Sequence, residues 1–188
     1  MNKIVQSLYD FLDIGKSPRP ADCIFVLAGK EERKAYGIKM WRFGYAPQLI
    51  LSIGRFEGRK FDALGLESDG GLVTQVEKIP PKKRHFFVWM DRQDAICTAV
   101  GKAYFGTRSE ARELAKYLRN LPVRSLLVVS SPAHLRRVSL AFRRVFRRTR
   151  IQLTFIAVPE KISLDSRAAC KEVWWEFIKY LLYHLLTP

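Results

Sequence analysis

Cys23-Ile24-Phe25-Val26-Leu27-Ala28-Gly29 is an unbroken apolar run closed by a glycine. Six apolar residues without alternation have the length of a strand covered on both faces, as a parallel sheet requires. Residues 31–43 follow with apolar side chains at Ala35, Ile38, Met40, Trp41 and Phe43, a helical spacing that stops at Gly44. Further strands are expected over residues 48–53, 85–90, 125–129 and 152–158. Residues 107–120 read as a helix, because Thr107-Arg108-Ser109-Glu110 has the form of a capping box, with Thr at the N-cap and Glu three positions on. Ser131-Pro132 opens another helix, with serine as N-cap and proline at the first helical position. A last helix covers about 166–186. Alternating strands and helices predict an α/β protein: three layers around a mainly parallel five-stranded sheet, in a single domain over 1–188. Residues 55–84, rich in glycine and proline with a short helical pattern at 72–76, read as a substrate loop or a plain insertion.

A chain of 188 residues suffices for one core. With 33 Lys+Arg against 18 Asp+Glu, the formal charge is +15, which favours acidic partners: nucleic acid, anionic lipid or phosphorylated small molecules. Cys23, Cys97 and Cys170 form no paired spacing, so neither a disulfide framework nor a zinc site is indicated. The first twenty residues hold no signal-peptide core, and no run approaches the ~20 apolar residues of a transmembrane helix. The expectation is a cytoplasmic protein.

Ligands of open parallel sheets bind beyond the C-terminal ends of the strands. That rule selects Gly29, Lys30 and Arg33 after the first strand, and Ser52, Gly54 and Arg55 after the second. It adds Asp91 and Arg92 after the third, and Ser130, Ser131 and His134 after the fourth. The fourth group sets two hydroxyls at a helix N-terminus, where free backbone N–H groups and the helix dipole favour an anion. His134, in the first turn, could donate to a phosphate or carboxylate or move a proton. The plainer alternative is that Ser131 only caps the helix and His134 bonds a carbonyl. Gly29-Lys30-Glu31-Glu32-Arg33 is neither a dinucleotide fingerprint nor a Walker A loop, and its glutamates would repel phosphate. No G-x-S-x-G elbow surrounds Ser52 or Ser130, and three scattered histidines form no metal-ligand pair, so no metal site is expected. Asp91 fits a ribose contact, a base or simply a turn.

Beyond His134, Leu135, Val138, Phe142, Val145 and Phe146 share one helix face. Arg136, Arg137, Arg143, Arg144, Arg147 and Arg148 read as the opposite one, either solvated or docking on an anionic surface. Residues 174–183 are rich in aromatics and read as a helix covering the core rather than lying on a membrane.

In order along the chain, these segments resemble the YdcF/SanA/ElyC family of bacterial proteins. Ala21-Asp22-Cys23-Ile24-Phe25-Val26-Leu27-Ala28-Gly29 is similar to its opening strand and glycine turn, followed by its arginine at Arg33. Leu49-Ile50-Leu51-Ser52-Ile53-Gly54 is similar to its second strand. Thr107-Arg108-Ser109-Glu110-Ala111 resembles its T-x-E-N-A helix start, without the asparagine. Val128-Val129-Ser130-Ser131-Pro132-Ala133-His134-Leu135-Arg136-Arg137 resembles its V-T-S-x-Y-H-M-x-R-A segment. The resemblance implies a Rossmann-like fold, an S-adenosylmethionine or nucleotide-like ligand and, for membrane-anchored members, a role in envelope integrity. It marks Gly29, Arg33, Ser52, Gly54, Thr107, Ser130, Ser131, His134 and Arg137 as the pocket, with His134 and Ser130 as the groups to carry any catalysis. Two functional classes fit: a small-molecule protein, as a transferase or hydrolase if catalytic, or a module docking on nucleic acid or anionic membrane through the arginine-rich helix.

Overall fold

The computed structural model describes residues 3–54, 85–91, 95–100, 106–160, 164 and 166–186. The loop expectations for 55–84, with Arg55, and the position of Arg92 lie outside the described residues. Strands β1 (Cys23–Val26), β2 (Gln48–Ile53), β3 (Phe86–Met90), β4 (Ala95–Ala99), β5 (Ser125–Ser130) and β6 (Gln152–Ala157) form one sheet, ordered β4-β3-β2-β1-β5-β6. The helices among the described residues are α1 (Lys3–Leu12), α2 (Glu31–Arg42), α3 (Gly106–Leu118), α4 (Pro132–Phe146) and α5 (Arg167–Leu186).

The apolar run that opens the core is the sheet's centre. β1 lies between β2 and β5, parallel to both, and all four of its residues are buried. Ile24 and Val26 face α2 through Ile38 and Met40. Cys23, Phe25 and Leu27 face the opposite layer, where α3 brings Ala111, Leu114 and Leu118 and α4 brings Leu135, Val138 and Phe142. α2 approaches β1 at Gly37, where an added Cβ would fall 2.2 Å from Val26 Cγ2, so any side chain there would push the helix off the strand. At the other end of β1, Asp22 Oδ2 accepts hydrogen bonds from Arg124 N, Ser125 N and the Ser125 hydroxyl, each at 2.8 Å. The Ser125 hydroxyl, followed by the Arg124 amide, holds the Asp22 carboxyl below its ordinary pKa, and the clamp fixes the β1–β5 register.

The sheet is mixed and six-stranded, not the mainly parallel five-stranded one expected. β5–β6 is parallel, but β3 runs antiparallel to β2, and β4 antiparallel to β3. The direction of β3 moves a residue out of the site. Met90 pairs with Leu49, so Asp91 follows β3 at the edge where β2 begins, away from the strand ends. Asp91 is therefore not at the edge where the ligand-contact reading puts it. At the other end of β3, His85 stands beside the ends of β1, β2 and β5.

α1 and α5, of which only α5 was expected from the sequence, pack on each other and on α4. Val5, Leu12, Ala133, Leu164 and Val173 form a third apolar cluster there. Phe11 meets Phe177 and Tyr180 edge-on at 6.0 and 5.6 Å.

Candidate functional site

Every buried polar or charged side chain among the described residues, Ser139 excepted, lies at the C-terminal ends of β1, β2 and β5, in neighbouring hydrogen-bonded groups. Arg33, Lys34, Ser52, Thr107, Glu110, Ser130, Ser131, His134 and Arg137 are each at most 8 % exposed. Burying so many polar groups is costly unless each finds a partner. Their partners bind three parts of the chain together.

The first part centres on Glu110. Its Oε1 accepts the Ala28 amide at 3.0 Å and the Ser52 hydroxyl at 2.5 Å. Ser52 Oγ also lies 3.1 Å from His85 Nε2, and His85 lies 3.9 Å from Glu110. The carboxylate of α3 therefore joins the ends of β1 and β2 to the start of β3. It does not close a capping box, because α3 begins at Gly106 and Thr107 lies within it. Neither Glu110 nor His85 was singled out from the sequence for this site. Along the sequence Glu110 fits a capping pattern, and the position of His85 depends on strand direction.

The second part centres on His134. Its Nδ1 is 3.0 Å from Ser130 Oγ, and its Nε2 is 3.4 Å from Thr107 Oγ1. Burial, followed by the nearby charges of Arg137, Arg33 and Lys179, pushes the His134 pKa well below its ordinary 6.5. The imidazole is therefore neutral at pH 7, with one N–H and one lone pair set between two hydroxyls. Such a ring can accept a hydrogen bond on one side while donating one on the other. Arg137 Nη1 donates to Thr107 Oγ1 at 2.8 Å, while its Nε and Nη2 donate to Glu176 Oε2 at 3.1 and 2.9 Å. Glu176, from α5, thus matches the Arg137 charge that was expected to face a ligand.

The third part is the turn after β1. Gly29 has φ +125°, a conformation that favours glycine, and a Cβ there would lie 2.8 Å from Arg33 Nη1. Arg33, a candidate pocket residue, is turned inward. Its Nε donates to Ser131 Oγ at 2.8 Å, and its Nη1 donates to the Ala28 carbonyl at 2.7 Å. Ser131 holds the N-cap position of α4 but makes no side-chain cap. Its hydroxyl instead donates to Glu160 at 3.1 Å, and Lys30 links Glu160 to Glu172 at 3.6 and 2.9 Å. Both the capping reading of Ser131 and the carbonyl reading of His134 give way to side-chain contacts across the network. Gly54 is half-buried after β2.

No family model, curated protein or solved structure matches this chain.

The arginine face of α4 is not one solvated stripe. The Arg136 guanidinium lies 4.0 Å over the Phe11 ring, and its Nε donates to the Phe11 carbonyl. Arg143 Nε donates to Ser139 Oγ at 3.1 Å. Arg144 donates to the Tyr183 and His184 carbonyls at 3.0 and 3.4 Å, satisfying the last turn of α5. Only Arg143, Arg147 and Arg148 of this series are exposed. α1 and α5, which a single-helix periodicity does not reveal, cover the rest. Near the starts of β5 and β6, Arg112, Lys116, Arg119, Arg148 and Arg150 ring a cavity of about 640 Å³ floored by Leu118, Val123 and Ile151.

Proposed function

We propose that the strand-end network binds an anionic small molecule, phosphorylated or adenosyl, and that the chain is a YdcF/SanA/ElyC-like protein. The observation that carries this reading is His134, buried between the Ser130 and Thr107 hydroxyls at the strand ends. Buried ionisable groups with strongly shifted pKa values concentrate at functional sites. The strand ends where β2 and β5 leave β1 on opposite sides are also where open α/β sheets take ligands. In this reading Gly29 gives backbone clearance, and Arg33 and the start of α4 offer positive charge and N–H groups to the anion. His134 and Ser130 carry the proton. Transfer or hydrolysis at a phosphorylated group suits such a site better than redox chemistry. A link to envelope metabolism comes with the resemblance alone. The second reading is docking on nucleic acid or an anionic membrane through the arginine-rich helix; of its arginines, Arg143, Arg147 and Arg148 are exposed, and Arg148 also lines the cavity with Arg112, Arg119 and Arg150.

A thermal-shift screen against AMP, S-adenosylmethionine and ribose 5-phosphate separates the two. A ligand at a hundredfold excess over Kd stabilises by about 2.7 kcal/mol, which is several degrees for a chain of this size. The shift should be present in the wild type and in Arg148→Ala, and absent in Ser130→Ala and His134→Ala. A shift lost only in Arg148→Ala, or no shift with any compound, would contradict the proposal.

A further inference from the structure

The outward face of α5 has no covering element among the described residues, although it is as apolar as its inward face. Trp174, Trp175, Ile178, Leu181, Leu182 and Leu185 are 40 to 76 % exposed. They recur at the intervals of one continuous helical stripe. Val173 and Tyr183, on the other side, are buried against the body of the protein. Apolar stripes on two sides of a helix are normally covered on both. An exposed stripe of this length on a soluble body marks a docking surface.

The charges beside the stripe indicate what covers it. Both carboxylates of α5 are paired, Glu172 with Lys30 and Glu176 with Arg137 and Lys179. Arg167 and Lys171 are exposed, with no carboxylate in ion-pair range among the described residues, and Lys179 is half-exposed. At the far end of the helix, Arg144 holds the last carbonyls. Nearby, burial and then the charges of Arg112 and Arg144 depress the Arg108 pKa, as expected where cations crowd together. The stripe is therefore apolar, carries two tryptophans and, among the described residues, is bordered by cations without spare anions. A second copy would bring another +15 against this one and the same cationic border against itself. An anionic lipid surface complements both features, since indole rings settle at the headgroup level and Lys and Arg are drawn to anionic headgroups.

We propose that the outward face of α5 docks the protein on an anionic membrane surface, with the helix lying in the interface. No helix among the described residues is long and apolar enough to cross a membrane, and α5 itself carries Arg167, Lys171, Glu172, Glu176 and Lys179 along its length. The inference does not depend on the strand-end site. The test is co-sedimentation of the full chain with vesicles of phosphatidylcholine alone or mixed with phosphatidylglycerol. Binding to the mixed vesicles should be about tenfold tighter or more and should weaken with salt. Trp175→Glu with Leu182→Glu should lower it about tenfold while leaving the unfolding midpoint in place. Quenching of wild-type tryptophan fluorescence by brominated phosphatidylcholine in the mixed vesicles keeps the test decisive if that variant fails to fold. Equal binding by the variant, no binding and no quenching, or a dimer in sedimentation equilibrium that the variant abolishes without vesicle binding would each overturn the proposal. The last would assign the face to a second copy.

Discussion

On acidification from neutral pH, unfolding free energy should fall below about pH 6.5, at a slope approaching 1.4 kcal/mol per pH unit, and His134→Gln should remove most of that slope. The folded protein holds His134 well below its ordinary 6.5, first by burial and then through the charges of Arg137, Arg33 and Lys179. The unfolded chain releases the ring to water, where its pKa returns to about 6.5. Between the two values, the unfolded state takes up a proton that the folded state refuses, so acid draws the equilibrium toward unfolding. Above the unfolded value both states leave the ring neutral, and this group adds no pH dependence. Asp22 acts in a lower window. Its folded pKa is depressed below the ordinary 3.8, so its clamp contributes stability above that value and loses it as pH falls toward the folded pKa. Urea midpoints measured as pH falls from neutral through about 6.5, in wild type and His134→Gln side by side, therefore test the His134 contribution. Parallel profiles for wild type and His134→Gln would show that the ring is not held neutral by the fold.

Glu110→Ala should cost about 2 to 4 kcal/mol at neutral pH, and Glu110→Gln much less. The alanine variant leaves the Ala28 amide and the Ser52 hydroxyl without the acceptor that each now uses, and both lie where water is scarce. Glutamine keeps an oxygen for the amide, and its NH2 group can donate to Ser52 in the reversed sense. Glu110 ties together three strand ends drawn from distant parts of the chain, so the loss should appear as global destabilisation in urea unfolding. Equal costs for the two variants, or a cost below about 1 kcal/mol for alanine, would mean that the carboxylate does not hold the edge together.

The central part of this architecture was legible because its residues have only one role. The run from Cys23 has no polar face, so only a strand covered on both sides suits it, and Pro132 after Ser131 can sit only at a helix start. The strand-end rule then brought Gly29, Arg33, Ser52, Ser130, Ser131 and His134 to one edge before any coordinates. What stayed hidden depends on relations between elements. Phe86-Phe87-Val88-Trp89-Met90 reads identically in either direction, so its antiparallel course, the loss of Asp91 from the edge and the arrival of His85 had no local signal. Thr107 and Glu110 satisfy a capping pattern in one dimension, yet in three they serve Arg137, His134, Ala28 and Ser52. The arginines of α4 look alike along the helix. They are distinguished by α1 and α5, which take up Arg136, Arg137 and Arg144 and leave Arg147 and Arg148 in water.

The most direct test of the strand-end site is a proton–nitrogen NMR titration of the labelled protein with AMP, and separately with S-adenosylmethionine. The account predicts that at least one of them shifts the Gly29 and Ser131 amides and the His134 ring nitrogens together, in one saturable process, with Arg148 and Arg150 unmoved. Shifts confined to Arg112, Arg119, Arg148 and Arg150 would contradict it and place anion binding in the basic cavity at the opposite end of the sheet.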